Sequence, residues 1–261
     1  MEIANYILKE LKKKGADDVI IGVNKTEASQ IKFSDNKVVK TGSELLINLD
    51  VFMTKDKKII VTSLKDFNKG EERAIPPNTL KKFNKKNADK IINNLISFSK
   101  YVKPSKDYNG IAQGPFKYKE IKNNYDKKVI NADEIDLMQK GINAALENAN
   151  KTNGIIEKYV AEHSLITSNN VYSEDKLTGL YFSIRAFTNK EASGHMNSCS
   201  RILNKFDVYG AGKIAGAIAK LAKKPEEGKA GKYDVVFSHM SMAALLNNIM
   251  DSASIFTLES G

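Results

Sequence analysis

The chain has no tryptophan, one cysteine, three histidines and five prolines in 261 residues. A lone cysteine, Cys199, excludes an intrachain disulfide and fits a reducing compartment, so a cytoplasmic location is expected. Apolar runs are too short to span a bilayer. The opening "MEIANYILKELKKKGADD" carries an acidic residue at position 2 and no continuous apolar stretch, so no signal peptide is expected in it. There is no G-x-S-x-G or Walker pattern and no short-period repeat of the solenoid type.

The histidines, His163, His195 and His239, lie at no helical ligand spacing. His163 sits in a strand-like segment, where a satisfied, half-buried imidazole is the ordinary reading. His195 and Cys199 are four apart in "GHMNSCS", but two ligands fall short of the four a structural zinc site wants. A Cys–His nucleophilic pair there lacks an orienting partner.

Lysine, in contrast, is abundant. The formal charge is +10, a field that attracts nucleic acid or acidic peptides. The lysines are spread over turns ("TKDKK") and helix faces ("LKKFNKKNADK"), interleaved with Asp and Asn, with no recognition-helix or aromatic RNP pattern. They read as a solvated surface of the kind genome bias or heat adaptation produces. With 41% hydrophobic residues the chain buries a sizeable core.

Periodicity predicts an N-terminal helix with Ile3, Ile7, Leu8 and Leu11 on one face, stopped at Gly15. Five strand-like segments follow: "VIIGVNK", "ASQIKFS", "KVVKTG", "ELLINLDVFM" and "KIIVTSL". Turn signals at Ser34–Lys37 and Thr54–Lys57 are short enough to demand hairpins, hence an antiparallel meander. After Pro76 and Pro77 a helix is expected from about Asn78 to Ser99, its stripe made by Leu80, Phe83, Ile91, Leu95 and Phe98. Lys100 to Lys128 has no period and reads as a linker or hinge.

"NADE", Asn131 to Glu134, is expected to form a capping box for a helix using Ile135, Met138, Ile142, Ala145 and Leu146. Beyond it "GIIEKYVAEHSLITSN" reads as extended and "NVYSEDK" as a turn. "LTGLYFSIRAFTN" has a period of two, with Leu180, Phe182, Ile184 and Ala186 on one side, and "EASGHMNSCSR" ends or links this sheet. An alanine-rich helix "YGAGKIAGAIAKLAKK" is stopped by Pro225 and Gly228. "KYDVVFS" then reads as a buried strand, and a helix with Met242, Leu245, Leu246 and Ile249 follows.

Helices bracket runs of strands without alternating one for one, so the class is α+β. The expected organisation is an N-terminal domain over 1–100, a linker over 101–130 and a second α/β portion over 131–261. Gly210, Gly212 and Gly216 form G-x-G-x-x-x-G, a weak match to a dinucleotide-binding turn, because "RILNKFDVY" is a poor leading strand. Close helix packing through Gly212, Ala215, Gly216 and Ala219 is the competing explanation.

From about Gly154 onward, "ITSNNVYSEDKLTGLYFSIRAF" and "GAGKIAGAIAKLAKKPEEGKAGKYDVVFSHMSMAALL" together resemble the TldD/PmbA family, also called the modulator-of-DNA-gyrase family. "GKYDVVFS…AALL" is the most specific part. The N-terminal helix and meander fit the family's first domain. In the TldD branch this resemblance implies a helix bearing H-E-x-x-x-H, which with a later cysteine holds zinc for peptide hydrolysis. Laid on "LLNNIMDSA", that pattern puts Asn247 and Asn248 at the His and Glu positions and Ser252 at the second His. An amide oxygen is a weak zinc ligand, and neither Asn nor Ser titrates near neutral pH. His239 lies eight residues too early to substitute.

The resemblance therefore implies the PmbA/TldE-like branch: a zinc-free, non-catalytic subunit with no cofactor, paired with a TldD-type metallopeptidase acting on unfolded or small peptides, or else a homodimer. It also implies a β-rich C-terminal domain, absent from these 261 residues. A truncated form, or a short paralogue burying its last helix in a dimer, are the two expectations. Two other readings stay open, a metallopeptidase with an unconventional or missing metal site, and a nucleic-acid-binding protein. The sequence names no peptide-contact residue.

Overall fold

The computed structural model describes residues 1–70, 84–254 and 257, without the side chains of 66–70. Its centre is one six-stranded antiparallel sheet. The strands are β1 (Asp18–Ser34), β2 (Lys37–Lys55), β3 (Lys58–Gly70), β4 (Lys151–Thr167), β5 (Tyr172–Phe187) and β6 (Ser193–Ser200), in the order β3-β2-β1-β4-β5-β6. The helices are α1 (Glu2–Lys13), α2 (Lys85–Phe98), α3 (Lys127–Ile130), α4 (Glu134–Leu146), α5 (Val208–Leu221) and α6 (His239–Ser252).

The meander forms as the turn signals require. Asp35 and Asn36 (φ 52° and 65°) join β1 to β2, and Asp56 and Lys57 (φ 52° and 60°) join β2 to β3. Two consecutive left-handed residues match the right-handed twist of the flanking strands. The five strand-like segments are, however, only three strands. "VIIGVNK" and "ASQIKFS" are both β1; "KVVKTG" and "ELLINLDVFM" are both β2. Pairing of β1 with β4 from Ile20↔Thr167 to Phe33↔Gly154 places the N-terminal and second portions in the same sheet.

The apparent breaks have a packing cause. Val19, Ile21, Ile31 and Phe33 are all buried and, separated by even numbers of residues along β1, share one face of it. α1 and α2 cover its first end, with Ile7, Leu11, Ile92 and Leu95 packed on Val19, Ile21, Leu49, Val51 and Met53. α4 and α5 cover the other, with Met138, Ile142 and Ala215 packed on Ile31, Phe33, Ile156, Phe182 and Ile184. Between the clusters the same face carries Lys25 ion-paired with Glu27, and Glu162 2.6 Å from Lys176. The Lys176 hydrogen bond holds the Glu162 carboxyl below its ordinary value against the opposing effect of burial.

α1 ends as expected. Gly15 adopts φ +83° and the Ala16 N–H reaches the Leu11 carbonyl at 3.1 Å, a left-handed C-terminal cap. In α2, Leu95 is buried and Ile91 partly so, but Phe98 is 63% exposed; the expected Leu80 and Phe83 lie outside the described residues. Asn84 caps this helix by accepting from the Asn87 N–H.

The expected Asn131 capping box does not form. Asp133 is the cap of α4, its carboxylate accepting from the Ile135 and Asp136 N–H groups, while Asn131 ends α3. Glu134 turns inward instead, to Lys158 of β4 and Ser29 of β1. Ile135 is 46% exposed; Met138, Ile142 and Ala145 form the buried stripe.

Only the start of "NVYSEDK" is a turn: Asn170 (φ 58°) and Val171 belong to the β4–β5 connection, while Tyr172 to Lys176 are already in β5, paired with β4. "KYDVVFS" is not a strand. Val236 is 97% exposed and Val235 65%, and no described strand pairs with them. Apolar β-branched residues make a strand only where a neighbour supplies hydrogen bonds and cover. Among the described residues no helix is long and apolar enough to cross a membrane.

Candidate functional site

The glycine pattern resolves as packing. Gly210 and Gly212 lie inside α5, which is led in by a 3-10 turn (Leu203–Lys205) and capped by Asp207, whose carboxylate accepts from the Gly210 N–H at 2.7 Å. No strand leads into it, so the βαβ context of a dinucleotide site is missing. A Cβ on Gly212 would stand 2.0 Å from the Gly141 carbonyl oxygen of α4, and one on Gly216 2.4 Å from that of Ala145. The small residues let two helix backbones touch.

The three histidines are separated. His163 on β4 bonds Asn24 on β1 through Nδ1 at 2.7 Å, the satisfied strand imidazole expected. His195 and Cys199 both sit on β6, where residues four apart on a strand lie ~13 Å from one another and do not share a ligand. The His195 Nε2 is 2.9 Å from the Ser183 hydroxyl. Burial, and then the positive charge of Arg185, push the His195 pKa below 6.5. An NMR titration of the ring should therefore give a midpoint under 6.5. The unfolded chain holds the extra proton between the folded midpoint and 6.5, so this group's contribution to stability rises with pH across that window and is lost below it.

α6 carries the residues that the zinc-motif resemblance singles out. Ser238 caps it, accepting from the Ser241 N–H. Asn247 donates to Asp251 Oδ2 at 3.0 Å, Asn248 donates to the Ala244 carbonyl at 3.0 Å, and Ser252 donates to the Asn248 carbonyl at 2.9 Å. All three are exposed and bonded along their own helix. Their donor set, two carboxamides and a hydroxyl, does not fit a hydrolytic zinc centre, which needs imidazole, thiolate or carboxylate ligands and a titratable base. Among the described residues no group of three or more His, Cys, Asp or Glu is placed to hold a metal.

Around α6 the surface is apolar. Met242, Leu245, Leu246, Ile249 and Met250 are 39–67% exposed, and Val235, Val236 and Phe237 precede them, also exposed. The residues sequence reading missed lie elsewhere, on the sheet face away from the helices: Gly22, Asn24, Asn48, Asp50 and Ser63, with His163. Polar residues alternating with Ile47, Leu49 and Val51 do signal a polar side to β2. That they meet residues of β1, β3 and β4 depends on register, which no alternation pattern encodes.

No family model and no curated protein matches the sequence. Solved structures do share its fold. A proposed modulator of DNA gyrase from Bacteroides thetaiotaomicron has a TM-score of 0.75 at 15% identity, over 96% of this chain and 56% of its own. TldE from Thermococcus kodakarensis has a TM-score of 0.66 at 14% identity, over 82% of this chain and 46% of its own. A proposed modulator of a DNA gyrase from Thermotoga maritima has a TM-score of 0.61 at 15% identity, over 84% of this chain and 47% of its own. The chain thus spans about half the length of these structures. It has the α+β fold of the modulator-of-DNA-gyrase and TldE structures, the architecture of the TldD/PmbA family that its sequence resembles.

Proposed function

We propose that this chain is a PmbA/TldE-like, non-catalytic subunit that works beside a TldD-type metallopeptidase on unfolded or small peptides. The observation that carries this reading is α6. The chain shares a fold with TldE, and on the helix that the sequence resemblance matches to the zinc helix of the catalytic branch it has Asn247, Asn248 and Ser252. The exposed apolar surface of α6 and of Val235–Phe237 supports association with another subunit, since a contiguous patch of this kind is costly to leave in water. The net positive charge favours acidic segments in whatever peptide is gripped.

Two measurements test it together. The chain should co-purify with a protein bearing H-E-x-x-x-H, and the pair should hydrolyse peptides in a chelator-sensitive way. The chain alone should show no peptidase activity with or without added zinc. Chelator-sensitive cleavage by the isolated chain would establish the metallopeptidase alternative. Salt-sensitive retention on DNA without a partner would favour the nucleic-acid alternative.

A further inference from the structure

The sheet face away from the helices holds a polar network at one side of an apolar trough, which Asn24, Asp50 and His163 help to line. Asp50 on β2 accepts from Asn48 Nδ2 at 2.6 Å, from Asn24 Nδ2 at 3.4 Å and from the Ser63 hydroxyl. Because Asn24 turns its amino group to Asp50, its carbonyl accepts from His163 Nδ1, which must carry the proton. Asn48 Oδ1, one amide width from the nitrogen that binds Asp50, is buried and has no hydrogen-bond partner among the described residues.

The trough encloses about 380 Å³ over Gly22, with Ile20, Phe52, Val61 and Leu165 among its walls. A Cβ added at Gly22 would meet nothing within 4 Å. Packing does not require the glycine; its missing side chain is what opens the floor. The lining contains two carboxylates, Asp50 and Asp175, and no lysine or arginine, in a protein that has 41 of them. Lys65 faces Asn48 across the β2–β3 register but is not part of the lining. Asp175, three strands from Asp50 and ~14 Å away, adds negative potential without competing for the same ligand group.

We propose that this trough binds a primary ammonium group carried on an apolar stem, the chemistry shared by a lysine side chain and a free alkylamine. The ammonium sits at the Asp50 end, where it meets the open lone pair of Asp50, with the Phe52 ring as a further cation partner; Asn48 bonds Asp50 from outside the lining. The stem lies over Gly22 against Ile20 and Leu165. This assignment does not rest on the metallopeptidase-partner reading and survives its failure.

The test follows the side-chain amide signals of Asn24 and Asn48 and the ring of His163 by NMR. The probes are n-butylammonium chloride, a capped Gly-Lys-Gly peptide and, as the anion control, sodium butyrate. Both ammonium probes should give saturable shifts and butyrate none. Gly22→Val, whose Cβ would meet nothing within 4 Å and which suits a strand, should fill the trough and abolish the shifts in a folded protein. Asp50→Asn should weaken binding about tenfold or more, as loss of a charged hydrogen-bond acceptor does. Tighter binding of the peptide assigns the site to a lysine side chain; tighter binding of butylammonium assigns it to a free amine. Equal shifts with butyrate, no saturable shift with either ammonium probe, or unchanged binding in folded Gly22→Val would overturn the assignment.

Discussion

Glu134→Ala is expected to destabilise the protein by about 3 kcal/mol. Glu134 opens α4 and is only 4% exposed, yet it is charged. Its Oε2 lies 2.9 Å from the Lys158 ammonium of β4, and its Oε1 accepts from the Ser29 hydroxyl of β1. Lys158 in turn donates to the Ile130 and Ala132 carbonyls at 3.0 Å each. The group clasps α4 and the turn before it to two adjacent strands. Removing the carboxylate leaves a mostly buried ammonium with neutral acceptors alone and strands the Ser29 hydroxyl. The uncompensated charge, rather than the lost attraction, sets the size of the effect. In a chain of this length the melting temperature should fall by roughly 6–12 °C. The double variant Glu134→Met with Lys158→Met should recover part of that loss, because it leaves no buried charge, although the Ile130 and Ala132 carbonyls lose their Lys158 donor. Urea and thermal unfolding of the single and double variants measure both. A double variant less stable than Glu134→Ala would show that the pair contributes attraction beyond its own desolvation.

Gly212→Ala should cost about 3 kcal/mol, although alanine is the better helix former by about 1 kcal/mol. The new methyl would stand 2.0 Å from the Gly141 carbonyl oxygen and 3.2 Å from the Ala144 Cβ. Both obstacles belong to α4, and a backbone carbonyl inside a helix cannot step aside. α4 and α5 must therefore separate, loosening Met138, Ile142, Ala145, Ala211 and Ala215 together. Gly228→Ala is the control, since its Cβ would meet nothing within 4 Å. The control should unfold at the wild-type denaturant concentration or slightly above it. A Gly212→Ala midpoint equal to that of the control would mean the two helices are not in close contact in solution.

These two sites mark different degrees of legibility. The stripe Gly212, Ala215, Gly216 and Ala219 is visible in the sequence as small residues at helical spacing, and small residues have few reasons to line up except close packing. Glu134 is visible only as a capping residue, because "NADE" meets a local rule equally well. Two facts overrule it: Asp133 wins the cap, and Lys158, 24 residues further along, waits behind the helix. Local rules cannot register a partner supplied by another strand.

What the sequence by itself determined is local. It set the two hairpin turns, the faces of α1, α4 and α5, the alternation of Leu180, Phe182, Ile184 and Ala186, and the unsuitability of Asn247, Asn248 and Ser252 as zinc ligands. Each follows from the chemistry or stereochemistry of residues within a few positions of one another. The tertiary structure alone decided that five strand-like segments are three strands, that β1 pairs with β4, and that "KYDVVFS" forms no strand and stays uncovered. It also brought Asn24, Asn48, Asp50, Ser63 and His163 to one patch above Gly22. The physical reason is the same in every case. Strand length, register and burial are settled by which surfaces cover one another, and a charged stretch such as Lys25–Glu27 breaks the apolar pattern without breaking the strand, because it spans the gap between two helix pairs.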